Sequence, residues 1–257
     1  MGVLLVGMVI GIAIRSIKEE EARKSISSFF KGAHGIFIVV TGWIVAIVPL
    51  GLYGFITATV VELKEGMEIK GISEYLAIVV LANIVQGFII LPLWLKMNKI
   101  KPFVTMRAML PALSIAFFSK SSAATLPVTI ETAEKNLNIN PKISRFVLPL
   151  CTTINMNGCA AFIFATVIYL MQNNGIEITF TTMITWIFIS TIAAVGNAGV
   201  PMGCFFLSAS LLASMNVPIA LLGIILPFYS IIDMIETALN VWSDACVTKV
   251  VDTKVKL

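Results

Sequence analysis

Charge is scarce in this chain. Asp, Glu, Lys and Arg make up 12% of its 257 residues, against about 25% in a soluble domain. Hydrophobic residues supply 58%, and the mean hydropathy is +0.96. That balance excludes a water-soluble enzyme, a disordered chain and a nucleic-acid binder, and indicates a polytopic membrane protein. The net charge of +4 is not a binding patch, because the basic residues fall at the ends of apolar runs. Histidine is nearly absent: His34 has no Cys, Asp or second His at ligand spacing, which argues against a metal centre there. Cysteine is sparse too. Cys151, Cys159, Cys204 and Cys246 lie inside apolar stretches with no CxxC, which predicts small buried hydrophobes.

A membrane-crossing helix needs about 20 apolar residues. Residues 1–14 supply 14, or about 21 Å of helix, and lack the basic start of a signal peptide. The chain is expected to begin inside a helix, as a truncated protein would. Clear spans follow at about 35–61 and 72–95. Polar-punctuated segments lie at 103–130, 146–171 and 180–214, and a last span runs over 217–250. The segment 103–130 is expected to break at Pro111, at residues 119–122 and at Pro127. The segment 180–214 is expected to break at Gly196, Gly199, Pro201 and Gly203. Both read as re-entrant hairpins, since irregular backbone at membrane depth survives only where protein or a polar cavity surrounds it.

If both segments return to the side they enter from, one side holds the connections 15–31, 96–107 and 131–145 and the tail from 249. Those stretches carry 15 of the 18 basic residues. The opposite side has Lys64 and Lys70, and Lys120 lies at a hairpin tip. The positive-inside rule then makes the basic side, with the C-terminus, cytoplasmic. Hairpin plus helix also occurs twice, with opposite entry sides. The expected fold is therefore all-α and polytopic, with spanning helices and two oppositely oriented re-entrant hairpins, an arrangement typical of secondary transporters.

Ionisable groups inside a membrane are functional candidates. Asp233, Glu236, Thr237, Asn240 and Asp244 follow one another at +3, +4, +3 and +4, on one face of the last helix. Thr237 or Asn240 alone would suit interhelical hydrogen bonding, but three carboxylates and an amide in one stripe read as a lane for a cation and a substrate. A second polar stretch, Thr152-Thr153-Ile154-Asn155-Met156-Asn157-Gly158-Cys159, falls in mid-span. Gly158 weakens helix there, and an unwound turn offers carbonyl oxygens as hard ligands for Na⁺. Asn155 and Asn157 as packing groups are the alternative. The tip around Ser119–Thr125 offers hydroxyls and a helix N-terminus for a carboxylate. Small residues at 198–203 suit a movable gate.

These motifs resemble the sodium:dicarboxylate (glutamate-transporter) symporter family, over essentially the whole chain but only its C-terminal portion. SKSSAATLP resembles the first hairpin motif, TINMNGC the family's NMDGT, NAGVP the second hairpin tip, and DMIETALNVWSD the final-helix motif DxxRTxxNxxxD. The resemblance implies that residues 1–102 are partial scaffold and transport-domain helices and that 103–257 form the transport core. It implies that Asp233 binds a substrate amino group, that Thr237 and Asn240 line the site, and that Ser121 and Ser122 with Asn240 hold a carboxylate. Backbone of the second hairpin, at Val200 and Gly203, closes the site. Asp244 with carbonyls of Asn155 and Asn240 is implied as one Na⁺ site, and Thr153 and Met156 with hairpin backbone as another. The resemblance further implies Na⁺ as the co-transported ion, a homotrimer in the cell membrane, and elevator-like motion.

Departures from the family pattern set the substrate. Glu236 stands where carriers of acidic amino acids have Arg, so a dicarboxylate is disfavoured. The run Glu236-Thr237-Ala238-Leu239-Asn240, with Ser121-Ser122-Ala123-Ala124, looks like the serine/threonine:sodium symporter branch. A hydroxylated neutral amino acid donates to Glu236; a cationic one pairs with it directly. Asn157 replaces the acidic residue of NMDGT, which puts a further Na⁺ site in doubt, and Lys120 replaces the arginine usual at that tip. A non-transporting C-terminal fragment is the remaining alternative. An intramembrane protease is not, because His34 lies in another segment from the serines, and Asp233 and Asp244 share one helix three turns apart.

Overall fold

The structure, a computed structural model, describes residues 2–64, 71–197, 199, 201–219 and 221–255. In chain order the helices are α1 (Gly2–Ser16), α2 (Glu20–Lys64), α3 (Ile72–Val85), α4 (Leu91–Met97), α5 (Pro102–Ser119), α6 (Ser122–Leu137), α7 (Pro141–Ile154), α8 (Asn157–Asn173), α9 (Phe180–Val195), α10 (Gly203–Ser214) and α11 (Leu222–Lys254). A π-helical turn, Gln86–Ile90, joins α3 to α4, and no strand occurs among the described residues. Four described segments are long and apolar enough to cross a membrane: Ile72–Met97, Pro102–Ser119, Pro141–Asn173 and Leu222–Lys254.

The chain forms two compact units, Met1–Thr57 and Ala58–Leu257. In the first, the stretch 15–31, expected as a connection, is largely helix. Glu20 and Glu21 put negative charge on the first turn of α2, where it complements the positive end of the helix dipole, and Glu20 pairs with Lys24 at 2.8 Å. Val39, Trp43, Ile47 and Leu50 form an exposed apolar stripe along α2, suited to lipid or another helix.

The second unit is organised around α11, about 50 Å long at the usual rise of helix. Its N-terminal half contributes Leu222, Ile225, Tyr229 and Ile232 to one apolar cluster with Val79, Phe162, Trp186 and Leu212. Its C-terminal half contributes Leu239, Trp242, Cys246 and Val250 to another, with Leu95, Met109, Ala133 and Leu148. Thus α9 and α10 pack toward one end of α11, and α5 to α7 toward the other. Trp242 also donates from Nε1 to the Gly87 carbonyl of the π turn at 3.1 Å, which ties α11 to the α3–α4 segment.

Helices α5 and α6 form an antiparallel hairpin. Ser119 Oγ meets Thr125 Oγ1 at 2.9 Å beside the turn, and Asn136 Nδ2 donates to the Ala108 carbonyl at 2.8 Å at the far end. Lys120 takes a left-handed conformation (φ 55°), and Ser121 caps α6 by accepting from Ala124 N at 3.2 Å. Of the three breaks expected within 103–130, only the one at 119–122 occurs. Pro111 and Pro127 lie inside unbroken helices, because each removes one backbone bond in a helix that tertiary packing holds together.

The break between α7 and α8 falls at Asn155 and Met156, whose φ/ψ of −100°/61° and −98°/65° are not helical. Gly158, expected to weaken the helix, instead lies within α8. A Cβ there would sit 3.0 Å from Cα and Cβ of Glu236, so the glycine permits close approach of α8 to α11. Between α9 and α10, Gly199 (φ 67°) and Met202 (φ 60°) adopt left-handed conformations. Gly158→Ala must push α8 off α11 or strain both; it is expected to lower stability by about 1–3 kcal/mol, read as a fall in the thermal unfolding midpoint of the detergent-solubilised protein.

Candidate functional site

The polar stripe lies between the two apolar clusters. Asp233, Glu236, Thr237, Asn240 and Asp244 are all buried. Buried polar groups need partners, and the α7–α8 break supplies most of them. Asn155 Nδ2 donates to Asp244 Oδ1 and to Ser243 Oγ, both at 2.9 Å, and Thr152 Oγ1 donates to Asp244 Oδ2 at 3.4 Å. Asn157 Nδ2 donates to Ser243 Oγ at 2.7 Å. The first turn of α8 has no side-chain cap of its own. Asn240 Oδ1 on α11 accepts from Gly158 N at 2.9 Å and takes that place across the interface.

Toward the other end of the stripe, Asp233 accepts from Met202 N at 3.3 Å and from Tyr229 Oη at 3.4 Å. Lys120 Nζ donates to Ser230 Oγ at 2.6 Å. The two tips touch: Ser121 Oγ donates to the Gly199 carbonyl at 3.1 Å. A Cβ on Gly199 would lie 3.2 Å from the Thr152 carbonyl oxygen and 3.3 Å from Ala123 N, so a residue without a side chain is required at this left-handed position.

Lys120, Ser122, Met156, Gly199, Asp233, Glu236, Thr237 and Asn240, with Cys159 and Asn197, line a cavity of about 10 Å³. That is about the space of one water. Glu236 is 1% exposed, and neither carboxyl oxygen has a hydrogen-bond partner. Asn197 Oδ1 is also buried and without a partner.

Ser121, Ser122, Asp233, Glu236, Thr237, Asn240, Asn155, Asp244 and Met156 therefore converge on one region. Thr153 does not bring its hydroxyl there: the side chain is exposed and donates to the Leu150 carbonyl at 2.7 Å, while its neighbour Thr152 faces Asp244. A Cβ on Gly203 would run into the Asn197 side chain, which places Gly203 behind the cavity wall. Val200 lies outside the described residues. Several contributors escaped the sequence reading. Ser243 is one residue off the stripe spacing, although its position three after Asn240 puts it on an adjoining face. Tyr229, four residues before Asp233, has the spacing of the stripe.

The cysteines also depart from expectation. Cys151 and Cys246 are free and buried, but Cys159 of α8 and Cys204 of α10 stand as a disulfide pair, with Cα atoms 5.4 Å apart. They are 45 residues apart in sequence, and only the packing of α10 on α8 brings them together.

The stripe is thus a buried row of carboxylates backed by amide and hydroxyl donors. The model of the sodium:dicarboxylate symporter family matches residues 1–254. Similar curated proteins include a putative sodium-dependent excitatory amino acid transporter, glt-4, of Caenorhabditis elegans, 30% identical over 98% of this chain and 50% of that protein. Neutral amino acid transporter A of Homo sapiens is 30% identical over 95% of this chain and 46% of its own length. Neutral amino acid transporter B(0) of Rattus norvegicus is 29% identical over 95% and 44%. The chain spans about half the length of the curated relatives it matches. With the matched model extending over 1–254, the chain belongs to the sodium:dicarboxylate symporter family, a family of transporters rather than enzymes.

Proposed function

We propose that the protein takes part in Na⁺-coupled symport of a small neutral amino acid, serine- or threonine-like, across the cell membrane. The observation that carries this reading is Glu236, fully buried with both oxygens unpartnered beside Asp233, Thr237 and Asn240. A buried carboxyl without a donor is costly. A ligand hydroxyl relieves that cost, whereas a second carboxylate would raise it. An acidic substrate is thereby disfavoured, although one similar protein is named for excitatory amino acids. Two others are named for neutral amino acids. The same unpartnered carboxyl favours a second reading, a cationic amino acid paired directly with Glu236.

Asp233 is the partner for the substrate ammonium, and the start of α6 at Ser121 and Ser122 receives its carboxylate. Asp244 with carbonyl oxygens of Asn155 and Asn240 takes one Na⁺. Met156, with backbone of the 196–202 tip and of residue 153, takes another. The tip acts as a gate. The opposed packing of α5–α6 and α9–α10 on the two ends of α11 supports hairpins that enter from opposite faces of the membrane, with the C-terminus cytoplasmic. Elevator-type displacement of a core spanning 103–257, within a homotrimer, completes the reading and rests on the family resemblance.

Uptake of radiolabelled serine into proteoliposomes holding the chain is expected to follow an inward Na⁺ gradient, with block by threonine and none by aspartate. Block by lysine instead selects the cationic reading. Na⁺-independent uptake, or absence of both uptake and Na⁺-dependent serine binding, overturns the proposal. Asp244→Asn is expected to raise the Na⁺ concentration for half-maximal serine binding by about tenfold or more, since it removes the one formal charge at that site. Glu236→Arg is expected to shift preference toward aspartate in competition assays; unchanged preference removes Glu236 from selectivity.

A further inference from the structure

The cavity wall carries two cysteine sulfurs that the transport reading leaves unused, beside Glu236, which it uses. Cys159 Sγ, Cys204 Sγ and a carboxyl oxygen of Glu236 lie within 4.8 Å of one another, on three different helices, and all three residues are buried. Asn197 closes the group: its Nδ2 donates to Cys159 Sγ at 3.0 Å and to Cys204 Sγ at 3.4 Å, while its buried Oδ1 has no partner. Once the disulfide is reduced, two thiols and one carboxyl make a soft-to-borderline three-donor set. Na⁺ prefers oxygen throughout, whereas thiolates select ions such as Zn²⁺ or Cd²⁺.

We propose that the reduced Cys159–Cys204 pair, with Glu236, binds one thiophilic divalent cation. Binding replaces two S–H bonds by two metal–thiolate bonds and releases two protons to solvent. The ion bridges α8, α10 and α11, and the unpartnered carboxyl of Glu236 gains a positive partner. Oxidation of the two thiols to the disulfide removes the donors, so the site exists only in the reduced protein. A further consequence rests on the transport reading: the ion fastens the start of α10 to the core beside the substrate cavity and competes with substrate.

The test is titration of the purified full chain, reduced with a phosphine, with Cd²⁺. It is read by the ultraviolet thiolate-to-metal charge-transfer band and by equilibrium dialysis. One Cd²⁺ per chain is expected in the wild type and in Cys151→Ser. Cys159→Ser and Cys204→Ser should each weaken binding by about tenfold or more, and Glu236→Gln should keep the band at reduced affinity. Peptide mapping needs no variant: Cd²⁺ should protect Cys159 and Cys204, but not Cys151 and Cys246, from alkylation. No saturable band in the reduced wild type overturns the proposal, as does a band or protection that follows Cys151 or Cys246. Neither readout involves transport, so failure of the serine-uptake experiment leaves this result standing, and the reverse also holds.

Discussion

The site depends on the constraint that α11 must carry three carboxyl groups through the middle of its length while burying apolar surface on both sides. Leu222 to Ile232 and Leu239 to Val250 anchor its two halves in separate clusters. Between them the polar stripe is buried, so the neighbouring helices must supply partners. The α7–α8 break does this. Unwinding at Asn155 and Met156 turns Asn155 and Asn157 toward Ser243 and Asp244 and leaves an amide at Gly158 for Asn240. Gly158 makes the approach possible, because any side chain there meets the Glu236 backbone.

The satisfaction is uneven along the stripe. Asp244 and Asn240 have direct partners from α7 and α8, and Asp233 is held from the 196–202 tip by Met202 N. Glu236 is held by none. A fully buried carboxyl with nothing to accept from is costly, and Glu236 is the one carboxyl of the stripe in that position. The two tips meet where Ser121 Oγ donates to the Gly199 carbonyl.

Much of this was legible in the sequence because membrane burial imposes harsh rules. Low charge and high hydropathy identified the environment, and a +3, +4, +3, +4 series of polar residues identified the face of α11. The hairpin turn near Lys120 was readable from Ser119-Lys120-Ser121-Ser122. Prolines misled: Pro111 and Pro127 read as breaks because isolated helices fail at proline, yet both helices continue. Thr153 and Thr152 were indistinguishable by composition, and only the phase of α7 decides that Thr152 faces Asp244.

The sequence by itself determined that the chain lives in a membrane, which helix bears the polar stripe, and which family it belongs to. These follow from composition, periodicity and motif order, all of which are local. Tertiary structure alone decided that Glu236 is left without a partner, that Ser243 joins the site, and that Cys159 meets Cys204. Each of these depends on distances between residues remote along the chain, set by how α8, α10 and α11 pack, and no local pattern encodes such distances.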